Sequence, residues 1–426
     1  MTSPSTPLGA SRPAVDFLFS LERFGMKFGL ANIAKLCAAL GNPQAAFPSI
    51  IVAGTNGKGS VTAMVDTALC AAGHRSARYT SPHLHRIEER FVIGGREIAP
   101  ETLDAAAARI QAVVGTLVAS GELESPPTFF ECTTAAAFEL FRDACVDVAV
   151  LEVGLGGRLD STNIVSPIAA AIVSIDFDHE EQLGRTLASI AAEKAGVIKP
   201  GIPVVCGPLP AEALDVIASA CAEQKAILIR TDTDAALQAR VASMPVSLAG
   251  AHQRANAAVA VALLDAIDRD AARGLRVGEH AARAGVTTAT WPGRLEAFRL
   301  GDCRVLLDAA HNPAGARALA SYLRETAPEG VTLVFGAMRD KAVHEMLTTL
   351  APAVKAIVCA TASSARAMPA DDLAGLARGL GLRAEAVADP IDAVTRACRA
   401  GRPVVVAGSI FLIGPVRAWL ARAILR

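Results

Sequence analysis

The sequence predicts an α/β protein built from two domains, each with a mostly parallel sheet. Three observations carry that expectation. Short, wholly apolar runs recur along the chain, Ala-rich helical stretches separate them, and the pattern restarts after Pro292. Runs with no polar alternation are typical of strands covered on both faces, which in turn requires helices between them.

In chain order the first series of strands is SIIVAG (Ser49 to Gly54), VDVAVLEVG (Val146 to Gly154), IAAAIVSI (Ile168 to Ile175) and PVVCG (Pro203 to Gly207). A further strand should end at Tyr79, where apolar sequence gives way to SPHLHRIEER. The second series is RVLLDAAH (Arg304 to His311), VTLVFGA (Val331 to Ala337), AIVCATA (Ala356 to Ala362) and PVVVAGS (Pro403 to Ser409). Between the series, TTATWPGRLE interrupts an Ala-rich helical region, so the boundary falls near Gly285 to Arg294. The expected division is a loose Ser/Thr/Pro-rich tail over 1–14, a first domain over 15–289 and a second over 290–426.

The charge balance, 41 Lys plus Arg against 42 Asp plus Glu, gives a net charge of −1 and offers no bulk attraction to nucleic acid. No run reaches the roughly eighteen uninterrupted apolar residues of a membrane span, and the first residues lack the apolar stretch of a secretory signal. A soluble, cytoplasmic protein is expected. Its nine cysteines contain no C-x-x-C pair, which argues against a disulfide framework and a structural zinc, and they read as small core residues.

GTNGKGS, comprising Gly54, Thr55, Asn56, Gly57, Lys58, Gly59 and Ser60, follows the first strand and precedes the helical stretch VTAMVDTALCAAG. Such a turn lets backbone N–H groups converge on phosphate oxygens at a helix N-terminus. Lys58 would bridge the terminal phosphates and Ser60 would reach a magnesium ion. The strict G-x-x-x-x-G-K-[ST] pattern fails, because Val52 stands where the first Gly would be and Gly59 separates Lys58 from Ser60. The alternative is a glycine-rich turn with an exposed lysine.

Ser81, Glu152 and His179 each lie at the C-terminal end of an expected strand, where side chains converge in an α/β sheet, and together they can hold magnesium. Each also has a plain structural role open to it. Ser81 can start a Ser-Pro turn, Glu152 can pair with Arg158, and His179 can satisfy a backbone carbonyl. Lys194 in AAEKAGVIKP reads, on its own, as a solvated lysine paired with a neighbouring carboxylate.

These motifs, with PTFFECTTAAAF, EVGLGGRLDSTN, WPGRLE, DAAHNP, MRDK and GSIFLIGPVR, together resemble the folylpolyglutamate synthase/dihydrofolate synthase family of the Mur ligase superfamily. The resemblance implies an N-terminal P-loop ATP-binding domain and a smaller C-terminal Rossmann-like domain. It implies an ATP-dependent ligase that joins L-glutamate to dihydropteroate and folates, with one or two magnesium ions; a monomer is expected. Position by position, Asn256, Arg294 and Asp308 would contact ATP, while Ser81, Glu152 and His179 would hold the metal. Lys27, Phe28, Thr128, Leu159, Asp160 and Ser161 would face the acceptor, and His311 and Ser409 the glutamate. Lys194 matches a lysine that is carbamylated in this superfamily, which would make it catalytic alongside Lys58 and His179. Ala309 stands where a Gly is frequent in the family. Beside a bifunctional enzyme stands a monofunctional member of the family; the more distant rivals are a peptidoglycan-type Mur ligase, disfavoured by the short stretch before Gly54, a P-loop NTPase switch, disfavoured by the C-terminal motifs, and an inactive binding module of the same fold, disfavoured by the retained Lys58, Glu152 and His179.

Overall fold

The computed structural model describes residues 12–25, 29–123, 125–269 and 274–424. The first sheet comprises β1 (Ser49–Ala53), β2 (Ser76–Tyr79), β3 (Phe91–Ile93), β4 (Arg96–Glu97), β5 (Val148–Glu152), β6 (Ala169–Ile172), β7 (Pro203–Cys206) and β8 (Ile227–Arg230). Their spatial order is β4-β3-β2-β5-β1-β6-β7-β8. The pairs β2/β3 and β3/β4 are antiparallel, and the rest are parallel. The second sheet comprises β9 (Glu296–Leu300), β10 (Cys303–Leu307), β11 (Val331–Phe335), β12 (Val354–Cys359), β13 (Ala384–Ala386) and β14 (Val404–Ala407). Its order is β13-β12-β11-β14-β10-β9, with only β9/β10 antiparallel.

The solid apolar runs have the cause the sequence suggests. In β1, Ile50 and Val52 pack into one core with the helices Lys58–Ala71, His252–Arg269 and Gly278–Thr288, while Ile51 and Ala53 face a different core below the sheet. Successive side chains of a strand point to opposite faces, so burial on both sides forces every position to be apolar. The same division recurs in the second sheet, where Leu333 and Phe335 enter one core and Val334 the other.

The chain passes from one sheet to the other between Thr288 and Glu296. At the N-terminus, helix Pro13–Ser20 begins inside the segment expected to be a loose tail; Pro13 at its first turn has the fixed φ that suits a helix start. Among the described residues one helix, Pro100–Ala119, is long and apolar enough to cross a membrane by length and composition, at a mean hydropathy of 1.2. It buries Leu103, Ala107, Ile110 and Val114 in the first domain's core, and its Asp104 and Arg109 pair with Arg12 and Glu139.

The cysteine expectation needs correction. Cys303 on β10 and Cys398 at the end of helix Pro390–Cys398 form a disulfide across 95 residues, with their Cα atoms 5.6 Å apart. Local spacing cannot reveal a pair joined only by the second domain's fold. Of the other seven, Cys37, Cys132, Cys206, Cys221 and Cys359 are buried, while Cys145 is exposed.

Candidate active site

β1 ends at Ala53, and helix Lys58–Ala71 begins after four residues that turn the chain back over the strand ends. Gly57 holds φ of 84°, and a Cβ there would lie 2.5 Å from Asn256 Oδ1, so only glycine fits. A Cβ on Gly59 would meet the indole of Trp291 at 2.5 Å. Lys58 is not on an exposed loop: it is the first helical residue, half-buried, and its Nζ donates to the carbonyls of Gly54 (3.0 Å) and Thr55 (3.2 Å). Ser60 is buried, and its Oγ accepts from Gln253 Nε2 at 3.2 Å.

Beside this turn lies a cleft of about 310 Å³, lined by Gly54 to Gly59, Ser81, Glu152, His179, Lys194, Arg294, His311 and Ser409. Residues expected from separate motifs thus meet at one place. Glu152 is 5% exposed; its Oε2 accepts from the Ser81 N–H at 3.2 Å. Its suggested partner Arg158 instead pairs with Glu193 at 2.7 Å. That pairing also leaves Lys194 without its neighbouring carboxylate. Lys194 is 3% exposed and donates to Gly54 O at 3.1 Å, so the solvated-lysine reading does not describe it.

Burial dominates the electrostatics here. It pushes the Lys194 ammonium down to about 7, helped by the nearby Lys58 charge. Burial also lowers Lys58, opposed by the carboxylates of Glu152 and Asp178, and raises Glu152, opposed by Lys58. His179 is lowered by burial to about 4 despite Asp178 beside it, so its imidazole is neutral near pH 7. Asp178 is pushed up by burial but pulled further down by His311 and Lys341, and stays ionised.

The second domain closes the cleft. Ser409 caps the helix Ile410–Ile424, its Oγ accepting from Phe411 N at 3.1 Å. His311 Nδ1 lies 2.8 Å from Ala309 O, and its Nε2 lies 3.6 Å from Asp178 Oδ2. On the other side of the Gly57 turn, a cavity of about 390 Å³ is lined by Asn56, Gly57, Ser60, His252, Asn256, Arg294 and Asp308. Asp308 is buried and accepts from the N–H groups of Leu295 and Ala310, both at 3.0 Å. Burial raises its pKa, with Arg294 opposing.

The residues expected to face the acceptor are not among those that line the 310 Å³ cleft. Thr128 caps the helix Phe129–Asp143 in a reciprocal box with Glu131. Asp160 accepts from Leu155 N (2.9 Å) and from Thr162, shaping the loop whose Gly154 to Gly156 line the cleft. Thr128, Asp160 and Ser161 are buried and Leu159 is half-buried, and a Cβ on Gly154 would meet the Phe130 ring at 2.6 Å. Lys27 and Phe28 lie outside the described residues. Sequence reasoning passed over Asp178, Asn312 and Lys341, although each stands in or beside a motif it had singled out.

Among the described residues no group of three or more His, Cys, Asp or Glu side chains is arranged to hold a metal ion by itself. The donors present still suit a hard divalent cation. Ser81 and Glu152 supply oxygens and His179 a neutral nitrogen in the same cleft. Magnesium needs only one or two carboxylates when phosphates and water complete its shell.

A glycine-rich turn at the strand ends of one α/β domain, facing a cleft completed by a second, is the arrangement of a two-domain nucleotide-dependent ligase. Residues 293–410 match the family model described as Mur ligase, glutamate ligase domain. A dihydrofolate synthase/folylpolyglutamate synthase of Bacillus subtilis is 35% identical over 384 residues, covering 85% of this chain and 88% of the relative. A probable bifunctional folylpolyglutamate synthase/dihydropteroate synthase of Haloferax volcanii is 35% identical and covers 96% of this chain, which spans only 50% of that relative's length. The crystal structure of the Yersinia pestis bifunctional folylpolyglutamate synthase/dihydrofolate synthase, complexed with AMPPNP and Mn ion, matches with a TM-score of 0.82 and 32% identity, covering 98% of this chain and 100% of the other. The chain belongs to the dihydrofolate synthase/folylpolyglutamate synthase family of Mur-type ligases.

Proposed function

We propose that this protein joins L-glutamate to dihydropteroate and to folates that already carry glutamate, at the expense of ATP. The observation that carries this reading is the meeting of Lys58, Glu152 and Lys194 from the first domain with His311 and Ser409 from the second in one cleft. The division of the chain near residue 290 goes with it: the 15–289 unit binds the phosphates, Arg294 and Asp308 reach the nucleotide from the junction, and the 290–426 unit seats the amino acid. The working form is a cytoplasmic monomer whose partners are small molecules, with no nucleic acid and no membrane.

A carboxylate does not condense with an amine in water, because oxide or hydroxide is too poor a leaving group. In the proposed sequence an acceptor carboxylate oxygen attacks the γ-phosphorus, releasing ADP and forming an acyl phosphate. The glutamate amine then attacks the acyl carbon; the tetrahedral intermediate expels phosphate, and the nitrogen loses its proton to leave the amide. Asn256, Arg294 and Asp308 would hold the nucleotide, and the 54–60 amides with Lys58 would bind and orient its phosphates. A divalent cation held by Ser81, Glu152 and His179 would neutralise phosphate charge. The acceptor would lie near Thr128 and the Leu159 to Ser161 stretch, with its carboxylate reaching the cleft beside Gly154 to Gly156. Closure of the second domain would exclude the water that otherwise hydrolyses the acyl phosphate. Lys194, as a carbamate, would present an anionic oxygen to the same cleft.

The direct test supplies purified enzyme with ATP, glutamate and either dihydropteroate or tetrahydrofolate, and reads products by mass. A glutamate added to both is expected. Product from one acceptor alone would make the enzyme monofunctional, and product from neither would reject the reading. The seat of glutamate is tested separately. His311→Ala and Ser409→Ala are each expected to raise the KM for glutamate about tenfold or more while the KM for ATP moves far less. Equal effects on both would assign these residues to the nucleotide or to folding.

A further inference from the structure

The loop after β6 is tied at one end to the phosphate turn and at the other to the second domain. Ser174 accepts from Thr55 N through its carbonyl at 2.8 Å, and its hydroxyl oxygen accepts from Asn56 N at 2.9 Å. That hydroxyl donates in turn to Asn56 O at 2.9 Å. The Thr55 hydroxyl donates to Asp176 O and accepts from Asp176 N, both at 3.1 Å. Two residues on, Lys341 Nζ donates to Asp178 Oδ1 at 2.6 Å and Asn312 Nδ2 donates to Asp178 Oδ2 at 2.9 Å, with His311 Nε2 at 3.6 Å. Arg317 reaches Asp176 at 2.5 Å. The Asp178 and Lys341 side chains are only 8% and 11% exposed.

We infer that Asp178 is a positioning residue for the amino-acid half of the site: its carboxylate fixes the Lys341 ammonium and the His311–Asn312 turn against the nucleotide half. The inference rests on the proposal that glutamate binds at the second domain. An ion pair this sheltered is screened little by solvent, and loss of one partner leaves the other charge uncompensated. Without the carboxylate, Lys341 would swing toward water, and the His311–Asn312 turn would keep its reciprocal amide pair with Asn56, in which Asn312 Nδ2 donates to Asn56 Oδ1 at 3.0 Å and Asn56 Nδ2 donates to Asn312 Oδ1 at 3.2 Å, but no charged partner. Because Thr55 and Asn56 are bonded to the same loop, a nucleotide that orders the phosphate turn also orders Asp178. Nucleotide and glutamate are then coupled, and by linkage each strengthens the other's binding equally.

A competing role is local. Asp178 Oδ1 also accepts from His179 N at 2.9 Å, and the carboxylate could serve only to shape the proposed cation site. The isosteric Asp178→Asn separates the two. The expected result is a glutamate KM raised at least about tenfold, with the Kd for AMPPNP and magnesium, measured by calorimetry, within about threefold of wild type. Asp178→Glu should restore part of the glutamate affinity, because it keeps the charge. Lys341→Met should mimic Asp178→Asn, and the double variant should be no worse than the weaker single one, the signature of a shared interaction. A nucleotide Kd that rises as much as the glutamate KM, or additive effects of the two substitutions, overturns the inference alone. Absence of wild-type turnover with glutamate overturns it together with the proposal beneath it.

Discussion

Lys58→Ala is expected to lower ligation by at least about 10²–10³-fold, the cost of removing one preorganised donor from a phosphoryl-transfer site. The Lys58 ammonium stands at the N-terminus of helix Lys58–Ala71, close enough to Glu152 and Asp178 for both carboxylates to raise its pKa against burial. In the resting protein it is held by the carbonyls of Gly54 and Thr55, an arrangement that phosphate oxygens can replace without moving the helix. Alanine removes the charge and is well suited to a helix, so the fold should survive. Product formation and thermal unfolding, measured side by side, check both halves of the expectation. Retained activity would remove the phosphate-loop assignment.

The second large effect concerns Lys194. A lysine buried this deeply, with burial and Lys58 drawing its pKa down to about 7, exposes a substantial neutral fraction at physiological pH. Only the neutral amine attacks carbon dioxide. Carbamylation then turns a cation into an anion beside Lys58, which reverses the repulsion that the unmodified group suffers. Lys194→Ala is therefore expected to lose most activity, on the order of 10²-fold or more, and to recover part of it with acetate. The pH dependence has a definite sign. A depressed lysine pKa leaves the amine protonated below about 7 and free above it, so bicarbonate should raise wild-type activity more at higher pH than at lower. Mass spectrometry under carbon dioxide trapping would show the added carboxyl group. An active Lys194→Ala enzyme indifferent to acetate would restore an ordinary buried lysine.

The central strands were legible because both-face burial writes itself into sequence as uninterrupted Val, Ile, Leu and Ala. The edges were not. β4 consists of Arg96 and Glu97, both exposed, and β8 carries Ile227 and Arg230 on the rim of the sheet, so neither bears a pattern that distinguishes strand from loop. The tight turn after β1 was legible through its glycines, since Gly57 has no room for any side chain. Lys194 was misjudged from its neighbour. Glu193 precedes it in sequence but turns to Arg158, and which way each of two adjacent side chains points is decided by the fold around them. Asp178 lies further from view, because Asn312 and Lys341 are 134 and 163 residues away along the chain.

The segment 289–295 that links the sheets is short, spanning at most about 25 Å even when stretched. A tether of that reach keeps the second domain at an effective concentration in the millimolar range over the first, without any contact between them. The bonds made by Asn56, Asp176 and Asp178 therefore need not be strong to hold the two halves together. They can break at each turnover to let product leave, and re-form without the delay of a bimolecular search.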